Sequence, residues 1–231
     1  MEKKLSAGLY IFAGLLAIAI ALPCAVKNYT DASRNVTVKG LCEKEVEADR
    51  AIWPIVYKEG GNSLAALSAA VEAKNAVIIG WLREAGFTDE EITVSAPKVE
   101  NLVANGYMEH RNYDYVMTAV ITVCTGKVKD VIARQQHQFD LIGKGIAIDG
   151  NNWEHPAVYE YTSLNSIKTG MIEEALANAR EAADKFAHDS GSRLGKINTA
   201  VQGQFSIVDR DANTPYIKTV RVVSTVNWAL K

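Results

Sequence analysis

The sequence has few cysteines and prolines and almost no excess of charge of either sign. Three cysteines in 231 residues are too few for a disulfide scaffold. Lysine and arginine total 25 against 27 aspartates and glutamates, so the basic excess that attracts nucleic-acid phosphates is missing. The 48% of hydrophobic residues indicates a globular protein with a core and excludes disordered, collagen-like and multi-span membrane chains.

Recognisable catalytic and metal-binding motifs are also missing. None of the histidines has another histidine or a cysteine close enough behind it for the usual zinc spacing; they are His110, His137, His155 and His188. No G-x-S-x-G motif occurs, and the Gly-Lys pairs lack the spacing and flanking residues of a phosphate loop. We therefore predict no catalytic residue, no metal site, no cofactor and no nucleic-acid partner.

The longest uncharged segment follows Lys3 and Lys4 and runs from Leu5 to Val26. As a helix it would be about 33 Å long, enough to cross the hydrocarbon core of a bilayer, and the two lysines place its start in the cytoplasm. Residues 1–26 are predicted to be a signal anchor, with a signal peptide cleaved after Ala21 or a lipid anchor on Cys24 as alternatives. Each alternative exports the rest of the chain, with residues 27–33 as a polar spacer.

Periodic patterns of apolar residues predict an α+β fold for residues 34–231, preceded by one N-terminal hydrophobic helix. Predicted strands are 36–48, 52–58, 91–102, 112–125, 146–148, 158–163, 195–209 and 216–230. Predicted helices are 62–85, 127–142 and 168–189. Because neighbouring strands come in pairs between helices, we expect a mixed or antiparallel sheet with the helices packed mainly on one face.

Several details of these elements are also predicted. Pro54 marks its strand as edge-like or bulged, Asn105-Gly106 predicts a turn, and 112–125 is expected to be a central strand covered on both sides. In the last helix the predicted apolar stripe consists of Met171, Ile172, Ala175, Leu176, Ala179, Ala183 and Phe186.

Three places in the chain carry a family resemblance. The sequence Val36-Thr37-Val38-Lys39-Gly40 followed by Asp49-Arg50-Ala51, the alanine-rich stretch 175–197 and the final strand 218–230 together resemble the SIMPL-domain family of bacterial envelope proteins. The resemblance covers residues 34–231. It implies export, an α+β domain, a link to envelope or oxidative stress tolerance and, for some members, ring-like or channel-like oligomers. It implies no catalytic residues.

Two groups of residues are candidates for a specific role. Cys42 and Cys124 lie on predicted strands. If those strands are neighbours, the geometry allows a disulfide between them; the alternative is two buried thiols that pack as small hydrophobic side chains. The loop 149–156 carries Trp153 and His155, and Tyr159 follows it. This loop is predicted to contact a ligand or a second subunit, since aromatic residues are favoured at subunit contacts.

The function predicted from these observations is non-catalytic. We expect a membrane-tethered protein of the bacterial cell envelope, facing the periplasm or released into it if the leader is cleaved. It would act as a homo-oligomer or by binding, in envelope or oxidative stress tolerance. The alternatives are an envelope redox protein that uses Cys42 and Cys124 and a small-ligand-binding module that uses the loop 149–156.

Overall fold

The computed structural model describes residues 10–23, 34–104, 112–150 and 152–231. The helices in these ranges are α1 (Tyr10–Pro23), α2 (Leu64–Glu84), α3 (Val128–Gln136), α4 (Phe139–Gly143) and α5 (Leu164–Asp189). The strands are β1 (Asn35–Glu47), β2 (Arg50–Gly61), β3 (Ile92–Val94), β4 (Lys98–Asn101), β5 (Tyr115–Thr125), β6 (Val158–Glu160), β7 (Leu194–Gln202), β8 (Ser206–Asp209) and β9 (Ile217–Leu230). The predicted turn Asn105-Gly106 lies outside the described residues.

The strands form two antiparallel sheets, which confirms the predicted α+β class. One sheet has the order β1-β9-β7, with β8 also beside β9. The other has the order β3-β5-β2-β6, with β4 also beside β5. In the second sheet β2 and β5 pair continuously from Ala51 opposite Thr125 to Gly61 opposite Tyr115.

The chain divides into two compact units. Unit 1 consists of the described residues within Met1–Lys44, Asn165–Ser206 and Val220–Lys231, and unit 2 of those within Glu45–Leu164 and Ile207–Thr219. The chain therefore passes between the units inside β1, at the start of α5, inside β8 and inside β9. Neither unit is one continuous segment of sequence.

Unit 1 is built on a close approach between β1 and α5. The helix buries Met171, Ala175, Ala179, Ala183 and Ala187, which recur every fourth residue. A Cβ atom at Gly40 of β1 would lie 1.8 Å from the Ala175 carbonyl oxygen and 2.6 Å from the Ala179 nitrogen. The small side chains on both elements thus let strand and helix backbones touch, and Val38, Val226 and Trp228 complete this core.

Unit 2 has its core between α2 and the second sheet. The helix begins after Ser63, whose hydroxyl accepts a hydrogen bond from the Ala66 nitrogen at 3.5 Å, and ends before Gly86, whose φ is +87°. By length and composition α2 is apolar enough to cross a membrane. Its buried side chains belong to the core of unit 2, however, so it serves as a core helix; they are Leu67, Val71, Ile78, Trp81 and Leu82.

Strand β2 is not an edge strand as predicted, since it lies between β5 and β6 and pairs with β5 without a bulge, but one side of it is open at Pro54. On the side of β2 away from β5, strand β6 pairs only with Arg50, Ala51 and Ile52, and the next contact on that side is the Asp149 nitrogen, which donates to the Val56 carbonyl at 2.8 Å. Pro54 lies between these contacts, where its missing N–H leaves no ladder bond unmade.

The predicted strand 91–102 is in fact two strands. Val94 of β3 is opposite Ile121, whereas Lys98 of β4 is opposite Thr118. Three residues on one side therefore face two on β5, which is a bulge, and Pro97 falls inside it. Likewise the predicted strand 195–209 is divided into β7 and β8.

The predicted helix 127–142 is also divided, into α3 and α4, and Phe139 at the start of α4 is 80% exposed. Strand β5 is interior to its sheet as predicted, but it is not covered on both sides, because Cys124 on its second face is exposed. In α5 the predicted core residue Phe186 is 61% exposed, and Ala187 takes the buried position one residue later.

Candidate functional site

The predicted ligand loop lines a cleft of about 380 Å³ in unit 2. Trp53 and Pro54 of β2 contribute one part of its wall, and Gln135 of α3 and the following Gln138 contribute another. The remaining lining residues come from the loop and its flanks: Ile148, Asp149, Gly150, Asn152, Trp153, His155, Pro156 and Ala157. The cleft thus combines amide, carboxylate and imidazole groups with two indole rings.

Hydrogen bonds within the loop fix its shape. The Asn152 Nδ2 group donates to Asp149 Oδ2 at 2.8 Å. Asn152 Oδ1 accepts from the backbone nitrogens of Glu154 at 2.9 Å and His155 at 3.1 Å. Since the Asp149 nitrogen is bound to β2, as described above, the loop is tied to the sheet and closed on itself.

The helical wall of the cleft is fixed by Tyr159. Its hydroxyl donates to Gln135 Oε1 at 2.8 Å, and its ring lies edge-on to Tyr216 with centroids 6.0 Å apart. Burial raises the pKa of the Tyr159 phenol, which therefore stays a protonated donor. The Gln135 carboxamide is thereby held with its oxygen committed to Tyr159.

The Trp53 part of the cleft wall is backed by a second tryptophan and an arginine. Trp53 is buried and packs edge-on against Trp81, with ring centroids 6.2 Å apart. The Arg134 guanidinium lies 3.8 Å above the Trp81 ring and also donates to the Trp81 carbonyl oxygen. These contacts among two indoles and a guanidinium hold the Trp53 ring in position in the cleft wall.

The structure brings together two of the three candidate loop residues. Trp153, 85% exposed, and His155 both line the cleft. Tyr159 is buried and lies instead beside a neighbouring depression, together with Pro215 and Tyr216. Sequence reasoning missed Gln135 and Gln138, because glutamines near the end of a polar helix carry no signal of their own; only the fold brings them opposite the loop.

The two candidate cysteines differ in environment. Cys42 is buried in unit 1, and burial together with the Glu174 side chain raises its pKa to about 11. Cys124 belongs to unit 2 and is exposed. Both are free thiols in the structure, and the disulfide between them stays a prediction. Of the histidines, His137, His155 and His188 are exposed and His110 lies outside the described residues.

A second surface feature is the edge strand β7 in unit 1. It pairs with β9 on one side, and among the described residues no strand pairs with its other side. From Lys196 onward every residue of β7 is exposed on either face, including Ile197 at 53% and Val201 at 63%. An open edge with two open faces is a ready site for strand addition.

Comparison with known proteins gives a family but no activity. The model of the SIMPL family, described as a protein of unknown function (DUF541), matches residues 36–227. This match confirms the resemblance seen in the sequence. No curated protein matches the chain.

Proposed function

The chain belongs to the SIMPL family, whose description names no activity. From the exposed surfaces of the structure we propose that it is an exported, non-catalytic protein of the bacterial cell envelope. We propose that it acts by assembly of identical copies. The observation that carries this proposal is β7. A monomer rarely leaves a strand with apolar side chains open on both faces and along one edge, because such a strand templates pairing with another chain.

A second copy fits this surface by backbone complementarity. The pairing of β7 with β9 is irregular between Leu194 and Thr199 but regular from Thr199 to Gln202. In that regular stretch the outward N–H and C=O groups repeat as a strand partner requires. Val201 would then be covered by the incoming strand, so we place the assembly contact at residues 199–202.

The apolar helix α1 supports tethering to a membrane. Its large apolar side chains are between 52% and 77% exposed, and they point to all sides of the helix. A helix that is apolar all round and uncovered by protein suits a lipid environment. We therefore propose that α1 belongs to a membrane anchor and that the folded units stand on the periplasmic side.

Sedimentation velocity of residues 34–231 tests the assembly. We expect oligomers at high micromolar concentration for the native sequence and monomers for Val201→Lys, because edge lysines block strand pairing. The matched control is Val99→Lys, since Val99 is also a half-exposed valine, but on β4 in unit 2. A native sequence that stays monomeric, or a Val99→Lys effect equal to that of Val201→Lys, would contradict the proposal.

Ligand binding is a second candidate function, and the cleft beside the loop 149–156 favours it. Its wall groups are held in place by the contacts of Asn152 and Tyr159 before any ligand arrives. The redox alternative has less support, because the raised pKa of Cys42 makes that thiol a poor nucleophile at neutral pH.

A further inference from the structure

We propose that the cleft beside the loop 149–156 binds a saccharide, with the Trp153 indole stacking on a sugar ring and the neighbouring amides binding its hydroxyl groups. This inference rests on the ligand-binding candidate above and is independent of assembly through β7. It follows from the chemistry of the lining groups, their fixed positions and the exposure of Trp153.

The polar groups of the cleft match those of a polyol. Gln138 and Asp149 present a planar amide and a carboxylate, each with more than one hydrogen-bonding position, and Asn152 has one amide hydrogen beyond those its loop contacts use. A sugar hydroxyl both donates and accepts, so a wall of mixed amide and carboxylate groups satisfies neighbouring hydroxyls in pairs. The Asn152 and Gln135 carboxamides are already fixed by protein hydrogen bonds, which lowers the entropy cost of binding.

The aromatic groups match the other side of a sugar ring. The faces of a pyranose carry C–H groups, which pack on an indole plane while the hydroxyls point outward. Trp153 offers such a plane at the rim, 85% exposed, and the buried Trp53 lies in the wall with Pro54. The volume of about 380 Å³ lies within the range of small-ligand clefts.

Charge excludes the main competing class of ligand. Among the described residues that line the cleft there is no lysine or arginine, whereas Asp149 supplies a carboxylate. Among the described lining residues the His155 imidazole is the one group that can carry positive charge, and Asp149 would repel a phosphate or carboxylate ligand. An uncharged ligand rich in hydroxyl groups is therefore favoured.

Tryptophan fluorescence of the full chain tests the proposal directly. Trp53, Trp81 and Trp228 are between 2% and 4% exposed, so Trp153 dominates the emission that acrylamide can quench. The full chain is kept in a zwitterionic detergent without a sugar headgroup. Maltotriose, N-acetylchitotriose and an oligoproline peptide are each added at about 10 mM, roughly tenfold above a millimolar Kd.

We expect at least one trisaccharide to shift the emission to the blue and to reduce acrylamide quenching. Saturation-transfer NMR then measures binding to variants that lack the reporter. Trp153→Ala should weaken saccharide binding about tenfold or more, the loss of one stacked aromatic contact. Phe139→Ala removes an aromatic ring that is equally exposed but does not line the cleft, and it should leave binding unchanged.

Each other outcome is decisive as well. Protection by oligoproline alone would overturn the saccharide proposal and leave the ligand-binding candidate standing. Protection by none of the probes would overturn both. Equal losses in Trp153→Ala and Phe139→Ala would show that the cleft does not hold the sugar.

Discussion

At the scale of single residues, Gly40 shows how the family motif acts. Its position against the Ala175 carbonyl oxygen leaves no space for a methyl group. We expect Gly40→Ala to destabilise unit 1 by about 3 kcal/mol or more, because the contacted atoms are backbone and cannot move aside alone. Urea unfolding followed by far-UV circular dichroism would measure the change.

Gly170 provides the control for this substitution. It lies inside α5, and a Cβ there would meet no atom within 4 Å. Gly170→Ala should therefore stabilise the helix by about 0.5–1 kcal/mol. If both variants were as stable as the native protein, β1 and α5 would not approach as closely as the structure shows.

Glu91 makes the stability of unit 2 depend on pH. Burial opposes ionisation of this carboxyl group, but hydrogen bonds from Thr125, Thr88 and Lys127 outweigh it and lower the pKa to about 2. A carboxylate with a lowered folded-state pKa stabilises the fold above its ordinary pKa of 4.5, and this contribution is lost as the pH falls towards 2. We therefore expect the free energy of unfolding of unit 2 to fall as the pH is lowered, because Glu91 loses its charge-assisted hydrogen bonds.

The substitution Glu91→Gln should cost about 2 kcal/mol at neutral pH, the range for hydrogen bonds to charged groups. The difference from the native protein should shrink at about pH 3, where the unfolded native chain is already protonated. Glu90→Gln, at the exposed neighbouring glutamate, is the control. A difference from the native protein that stays constant between the two pH values would rule out ionisation of Glu91 as the cause.

At the scale of elements, Asp49 secures the entry into α5. Its carboxylate accepts hydrogen bonds from the backbone nitrogens of Thr162 at 2.7 Å and Ser163 at 2.8 Å, the residues just before the helix. Despite burial, these bonds and those from the two hydroxyls lower the pKa of Asp49. Asp49, although distant in sequence, thus accepts the backbone hydrogen bonds that a capping residue next to the helix usually accepts.

Asp49→Ala should therefore destabilise the protein by about 1–2 kcal/mol, the usual cost of a lost cap. Amide hydrogen exchange at Thr162 and Ser163 should accelerate more than exchange elsewhere in the chain, whereas a general loss of stability would accelerate exchange evenly. Asp184→Ala, on the exposed face of α5, should change neither quantity. Unchanged exchange in Asp49→Ala would refute the capping role.

Helices and strands were predictable from the sequence where a single buried face sets the spacing of their apolar residues. In α5 the spacing of Ala175, Ala179 and Ala183 was sufficient, because one stripe meets β1. The same reasoning placed Phe186 in the core, since a sequence pattern records which side chains are apolar but not how much space each position has. The buried position belongs to Ala187, which continues the four-residue spacing of the buried side chains from Met171 to Ala183.

At the scale of the whole molecule, the chain crosses between its units inside regular elements. Strands β1 and β9 each supply residues to both units, and such a crossing leaves no linker composition for sequence analysis to detect. The candidate site likewise combines residues that are separated in the sequence, which sequence analysis does not detect. Trp153 and His155 were predictable from one loop, whereas Gln135 and Gln138 join them only through the packing of α3 against the second sheet.

Membrane anchoring is a proposal about the N-terminal segment, and the intact mass of the membrane-extracted protein tests it. We expect the full 25.2 kDa, because the uncharged run continues past the A-x-A sequence at Ala19–Ala21 and Pro23 follows it closely. If the uncharged segment is retained and spans the bilayer, alkaline carbonate should not release the protein. Replacing Leu15 and Leu16 by lysine should abolish retention, since charges near the bilayer centre are costly. A mass lacking the first 21 residues would instead establish a released periplasmic protein, and a mass increased by lipid would establish anchoring through Cys24.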